Sequence, residues 1–130
     1  MTQTMNTNKN KVIIDLDVTD RFPSIDIYDL LIFHFIDKII SSKLAHRMID
    51  GEYEYYHVDY RFIIDCIKGK IGSRDRIYRR VRNLIDLGVI IAFAGNQRIG
   101  RTCFGKGPNY ECMKGYVQTY NAAQDKSIAS

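Results

Sequence analysis

The sequence lacks both a long apolar run and an apolar N-terminus. Its apolar runs are short, and one of them, Leu30–Phe33, is soon followed by the charged residues Asp37 and Lys38. They fall far short of the roughly 20 apolar residues that span a membrane. Residues 1–11 are polar and rich in Asn and Thr, so they lack the apolar core of a secretory signal. We therefore expect a protein that has no membrane contact and stays in the cytoplasm.

Cysteine is also scarce. Cys66, Cys103 and Cys112 are odd in number, and Cys66 lies in an apolar segment, so we expect a reducing compartment rather than a disulfide framework. Cys103 and Cys112 are too far apart for a zinc knuckle, and no spacing pairs a nucleophile with a base. We expect no metal, no cofactor, no small-molecule ligand and no enzymatic activity.

The charge of the chain is unevenly distributed. The 130 residues are 45% hydrophobic, which suits one domain with its own core. Residues 1–66 carry 7 Lys or Arg and 11 Asp or Glu, a net charge of −4, whereas residues 67–130 carry 12 and 4, a net charge of +8. This asymmetry indicates a basic face that meets a polyanion. The alternative is that the basic residues only keep the second half of the chain in solution.

A strong helical pattern runs through the first half of the chain. Apolar residues recur at three- and four-residue spacing from Ile27 to Ile40, with charged residues on the opposite side. Ser24 or Asp26 can cap the start of this helix. Its apolar stripe is wide, which is typical of a core helix. The alternative is a homodimer interface built on residues 26–41.

Shorter elements follow and end in a hairpin. The aromatic segment 52–58 predicts a short strand, and Asp59 can cap a second helix over residues 60–68. A third helix spans residues 74–87, because Gly88 stands where a helix ends in the left-handed conformation. The residues after it predict a glycine-rich hairpin.

These elements predict an α+β protein that is mainly α with a small β-hairpin. Their order is helix, strand, helix, helix, hairpin, and the folded unit covers residues 21–113. A flexible N-terminal arm, residues 1–20, and a flexible C-terminal tail, residues 114–130, are expected on either side.

The third helix is strongly basic. Residues 68–82 contain seven basic residues and one acidic residue, Asp75. At 100° per residue, a helix that buries Ile77, Val81 and Leu84 turns its basic side outward. The DNA major groove admits such a helix and offers guanine N7 and O6 to an arginine fork, and the first helical turn can bind a phosphate. The residues expected to bind DNA here are Lys68, Lys70, Ser73, Arg74, Arg76, Tyr78, Arg79, Arg80, Arg82 and Asn83.

The hairpin offers a second set of contacts. Its predicted tip is polar and basic, and a tip of this kind can lie along the phosphate backbone or in a minor groove. The alternative is an ordinary solvated turn. The residues expected to contribute are Asn96, Gln97, Arg98, Arg101 and Lys106.

The segment SRDRIYRRVRNLIDLGVI, Ser73 to Ile90, resembles the recognition helix of the winged helix-turn-helix family. Its capping Ser73 is followed by a basic stretch, the core residue Ile77, a leucine-rich end and Gly88 before a strand. The resemblance extends by element order over residues 24–113. It implies a winged-helix fold in which the third helix enters DNA and the hairpin acts as the wing.

The expected function is sequence-specific binding of double-stranded DNA, as a transcriptional regulator associated with the nucleoid, or in the host cytoplasm if the protein is viral. One alternative is a replication initiator or accessory protein of a phage or plasmid. Another is a winged-helix module that binds an acidic protein partner, because a fold does not determine its use.

Overall fold

A computed structural model describes residues 2–6, 10–42, 46–67, 74–96 and 102–121. Within these ranges the protein is a mixed α+β structure with two antiparallel sheets and two substantial helices. The elements are β1 (Thr2–Asn6), β2 (Asn10–Asp15), α1 (Val18–Arg21), α2 (Ile27–Ile40), β3 (Arg47–Asp50), β4 (Tyr53–His57), α3 (Tyr60–Cys66), α4 (Arg74–Asp86), β5 (Ile90–Ala92), β6 (Cys103–Lys106), α5 (Tyr110–Lys114) and β7 (Val117–Asn121).

The larger sheet has four strands in the order β3-β4-β6-β5. Its β5–β6 hairpin pairs Ile90 with Lys106 at its base, and β6 pairs in turn with β4 through Tyr56 and Phe104. The hairpin that follows α4 is therefore joined to the strand that precedes α3. The β content exceeds the single small hairpin predicted from the sequence, because the described residues hold seven strands.

Helix α2 is the centre of the core. It begins as predicted at Asp26, whose side chain accepts hydrogen bonds from the backbone N–H groups of Tyr28 and Asp29. The Asp29 carboxylate accepts in return from the backbone N–H of Asp26, which completes a capping box. Every residue from 29 to 36 is buried, because α3, α4 and β2 all pack on this helix.

The burial of α2 changes the interpretation of its wide apolar stripe. Other elements of the same chain cover the stripe, so its width is not an argument for a homodimer through residues 26–41. The stripe is wide because α2 is packed on several sides at once.

Strands from near both ends of the chain form the second sheet, within segments that the sequence predicts as a flexible arm, residues 1–20, and a flexible tail, residues 114–130. Strands β1, β2 and β7 are antiparallel in that order. Val12, Ile14 and Val18 are fully buried in the common core. The pattern of β2 is visible in the sequence, but its partner β7 lies at the other end of the chain, so no local pattern reveals the pairing.

The second half of the chain follows the predicted order. Asp59 caps α3 by accepting a hydrogen bond from the backbone N–H of Arg61, and Gly88 ends α4 with a φ of 73°, in the left-handed region that favours glycine. Residues 68–73, between α3 and α4, lie outside the described residues. Among the described helices, none has the length and apolar character needed to cross a membrane.

Candidate nucleic-acid interface

Helix α4 has one buried face and one basic face, as its periodicity predicts. Ile77, Val81 and Leu84 are almost completely buried, and they lie on the side that packs against α2. Arg79 and Arg82 are exposed. The burial of the apolar stripe therefore turns these guanidinium groups toward solvent.

Two further predicted residues, Arg76 and Tyr78, belong to the same exposed surface. Arg76 is exposed near the start of α4, and Tyr78 keeps 41% of its surface exposed. The Tyr78 ring meets the ring of Tyr60 edge-on, with 4.6 Å between ring centroids. Tyr60 is buried at the start of α3, so this contact holds an exposed aromatic residue of α4 beside α3.

Arg82 also makes an ion pair within its own helix. Its Nε lies 3.5 Å from Oδ1 of Asp86, one turn later, and both side chains are well exposed. Exposed pairs of this kind contribute only about 0.3–0.5 kcal/mol. A phosphate can therefore replace Asp86 as the partner of Arg82 at little cost.

Arg80, another predicted DNA contact, is only partly exposed and is turned toward α2. Its Nη1 lies 2.5 Å from both carboxylate oxygens of Asp26 and 3.2 Å from Oδ1 of Asp29. The guanidinium also lies over the ring of Tyr28, 5.2 Å from its centroid. Arg80 is thus bound to the N-terminus of α2.

Asn83 is the second residue that turns away from the expected direction. Its Nδ2 donates to Oδ2 of Asp29 at 3.1 Å and to the backbone carbonyl of Ser24 at 3.4 Å. Asn83 and Arg80 together form one polar cluster with Asp26 and Asp29. We call these four residues the α2–α4 cluster.

The pKa values of the two carboxyl groups in the α2–α4 cluster are shifted in opposite directions. Burial alone would raise the pKa of Asp26, but hydrogen bonds from Arg80 and from the backbone outweigh burial and lower it. Burial raises the pKa of Asp29 more than its hydrogen bonds lower it. Arg80 and the backbone thus favour the ionised form of Asp26 over its neutral form.

The described part of the hairpin holds two of the predicted contacts, Asn96 and Lys106. Asn96 bonds to the backbone N–H and carbonyl of Cys103, at 2.9 and 3.1 Å, and so closes the hairpin. Lys106 lies at the base of the hairpin, opposite Ile90, with Nζ 3.6 Å from Oε1 of Glu111. Its role as a phosphate contact stays a prediction.

Several predicted contacts lie outside the described residues, or their side chains do. Arg74 begins α4, but its side chain is not described. The predicted residues that lie wholly outside the described ranges are Lys68, Lys70, Ser73, Gln97, Arg98 and Arg101.

Arg61 is a basic residue that the sequence patterns do not mark. It lies in the first turn of α3, next to Tyr60, and its side chain is 82% exposed. Its Nε lies 3.4 Å from Oδ1 of Asp59. The contact between Tyr60 and Tyr78 places the start of α3, and with it the backbone of Arg61, near α4. No other Lys or Arg lies within six residues of Arg61 in the sequence, so no local charge pattern marks it.

No protein-family model, curated protein or solved structure matches the chain. The function is therefore argued from the surface of α4 and its surroundings.

Proposed function

We propose that the protein binds double-stranded DNA through α4 and acts as a sequence-specific transcriptional regulator. The observation that carries this proposal is the exposed face of α4, where Arg76, Arg79 and Arg82 follow one another at intervals of three residues beside Tyr78. The rise of an α-helix separates the first and last of these arginines by about 9 Å. That length suits a major groove about 12 Å wide.

The type of basic residue also favours nucleic acid. All the exposed basic groups on the described part of α4 are arginines. A guanidinium can bind a phosphate or a guanine edge with two parallel hydrogen bonds, whereas a lysine acts as a point charge. The exposed Tyr78 adds a hydroxyl group and an aromatic face among these charges.

We further propose that residues 21–113 have a winged-helix arrangement. Support comes from the element order α2, β4, α3, α4 and then the β5–β6 hairpin. Further support comes from the pairing of β6 with β4, which ties the hairpin to the strand between the first two of these helices. The additional strands β1, β2, β3 and β7 surround this unit.

The test is a titration of random-sequence duplex DNA, followed by fluorescence anisotropy at several salt concentrations. The wild-type protein should bind, and its affinity should fall steeply with salt. An Arg79→Ala/Arg82→Ala variant should bind more weakly, with the slope of log K against log [salt] reduced by about 2 if each arginine holds a phosphate. Arg47→Ala removes an exposed arginine from β3 and is the matched control.

The results separate DNA binding from the other uses of this surface. If wild type does not bind at low salt, the DNA proposal is wrong, and an acidic protein partner becomes the candidate for the same arginines. If DNA binds, a site selected from random sequences that maps to promoters supports a regulator. Repeated copies at a replication origin would instead indicate an initiator.

A further inference from the structure

We propose that the α2–α4 cluster positions α4 for sequence recognition without touching DNA. Arg80 and Asn83 are then positioning residues that set the orientation of the exposed arginines. This inference rests on the proposed function, because it concerns the way α4 meets DNA.

The apolar contact between α2 and α4 does not by itself determine that orientation. Ile77, Val81 and Leu84 pack on α2 through aliphatic groups, and packed helices tolerate a scatter of 15–20° in crossing angle. A change of about 20° in crossing angle moves a residue that lies about 6 Å, or four residues, along the helix from the crossing point by about 2 Å. Such a displacement is enough to break a hydrogen bond to a base edge.

The α2–α4 cluster supplies the missing directional contacts. Oδ1 of Asp29 accepts from Arg80, and Oδ2 of the same carboxylate accepts from Asn83. Asp29 is only 3% exposed, so it cannot turn toward solvent without losing both bonds. Two side chains of α4, three residues apart, are therefore held by one buried carboxylate.

The α2–α4 cluster is also rigid on the α2 side. Asp26 and Asp29 form the capping box that begins α2, so their side chains are held by the backbone of that helix. Asp26 uses the same carboxylate to cap α2 and to bind Arg80. The start of the core helix and the orientation of α4 are thus set by the same two residues.

Removing one negative charge from the α2–α4 cluster gives a test, because electrostatics and positioning predict opposite changes in affinity. An Asp26→Ser variant keeps a residue that caps helices well, removes one of the two carboxylates that bind Arg80 and raises the net charge by one. Electrostatics alone predicts that this variant binds every duplex more tightly. Positioning predicts the opposite for the preferred duplex, because α4 loses its fixed orientation.

The experiment measures anisotropy with two duplexes, the one that wild type selects from a random library and one of unrelated sequence. Asp26→Ser and Asn83→Ala should each lose about tenfold or more in affinity for the selected duplex, the range expected when a base contact is lost. Binding to the unrelated duplex should not weaken, because exposed arginines reach phosphates in any orientation. Asp20→Ser makes the same charge change at an exposed position in α1 and should lose nothing.

A double variant, Asp26→Ser/Asn83→Ala, tests whether the cluster acts as one unit. Its loss on the selected duplex should be close to that of the more severe single variant, because residues of one network are not additive. Circular dichroism of each variant at the assay temperature establishes that α2 and α4 are folded. Asp26 is half exposed, so Asp26→Ser is the variant that best preserves folding.

Each outcome either supports or overturns the inference. If Asp26→Ser binds the selected duplex as tightly as wild type or more tightly, or if the two losses add, the cluster does not position α4. The proposed function would still stand in that case. If wild type binds no duplex at all, the proposed function fails and this inference fails with it.

Discussion

His34 should make the stability of the protein depend on pH. It lies in the middle of α2 with only 6% of its surface exposed. Burial, helped by the positive charge of Lys38 and opposed by the negative charge of Asp37, lowers the pKa of His34 from 6.5 to about 4. The folded protein therefore holds this imidazole neutral at pH values where the unfolded chain would already protonate it.

The sign and size of the change in unfolding free energy follow from this difference in proton binding. Between about pH 6.5 and 4 the unfolded state binds more protons than the folded state, so the free energy of unfolding falls as the pH falls. The stability is fully present above pH 6.5, and its loss is complete below about pH 4. At 1.36 kcal/mol for each pH unit, the total loss is about 3 kcal/mol, of which about 2 kcal/mol falls between pH 7 and pH 5.

The assay compares wild type with His34→Leu, which has a side chain of similar size and cannot titrate. The chain contains no Trp, so urea unfolding is best followed by far-ultraviolet circular dichroism. The stability of the variant relative to wild type should rise by about 2 kcal/mol on going from pH 7 to pH 5. Other titrating groups are common to both proteins and largely cancel in the difference. If the two pH profiles run parallel, the burial argument for His34 is wrong.

Two further predictions concern packing around α5 and can be measured by the same urea unfolding. Tyr110→Phe removes a fully buried hydroxyl group that donates to Asp37, and it should cost about 1 kcal/mol; an unchanged stability would mean that this hydrogen bond contributes nothing. Gly107→Ala should cost about 1–3 kcal/mol, because an added Cβ would lie 2.3 Å from the carbonyl oxygen of Gly88. Gly115→Ala is its control, since the nearest atom to its Cβ would be 3.4 Å away, and equal losses in the two variants would contradict the steric reasoning.

The elements that could be predicted from the sequence are those with local signals. Asp26 and Asp59 cap α2 and α3, and Gly88 ends α4. Each of these assignments needs only a capping residue, a helical apolar period or a glycine at the right position. The buried stripe of α4 follows from the same period, because it spans almost four turns.

The pairing between strands from the two ends of the chain has no such signal. β7 pairs with β2, and this pairing joins segments that are separated by almost the whole sequence. β3 was also not predicted, because its residues are mostly exposed and show no alternation of apolar and polar side chains. Both cases depend on contacts that no short window of sequence contains.

The same limit applies to the outward face of α4, of which the sequence predicts only a part. Asn83 follows Arg79 by about one helical turn, so helical phase places both on the outward side. Asn83 nevertheless turns to Asp29, and Arg80 turns to Asp26, because these carboxylates lie 54 residues earlier in the chain and meet α4 only after α2 has packed. Phase alone therefore identifies which residues of α4 are not buried, whereas the position of α2 decides which of them remain available to a partner. Arg79 and Arg82, the proposed DNA contacts, therefore remain exposed, whereas Arg80 and Asn83 are bound to α2.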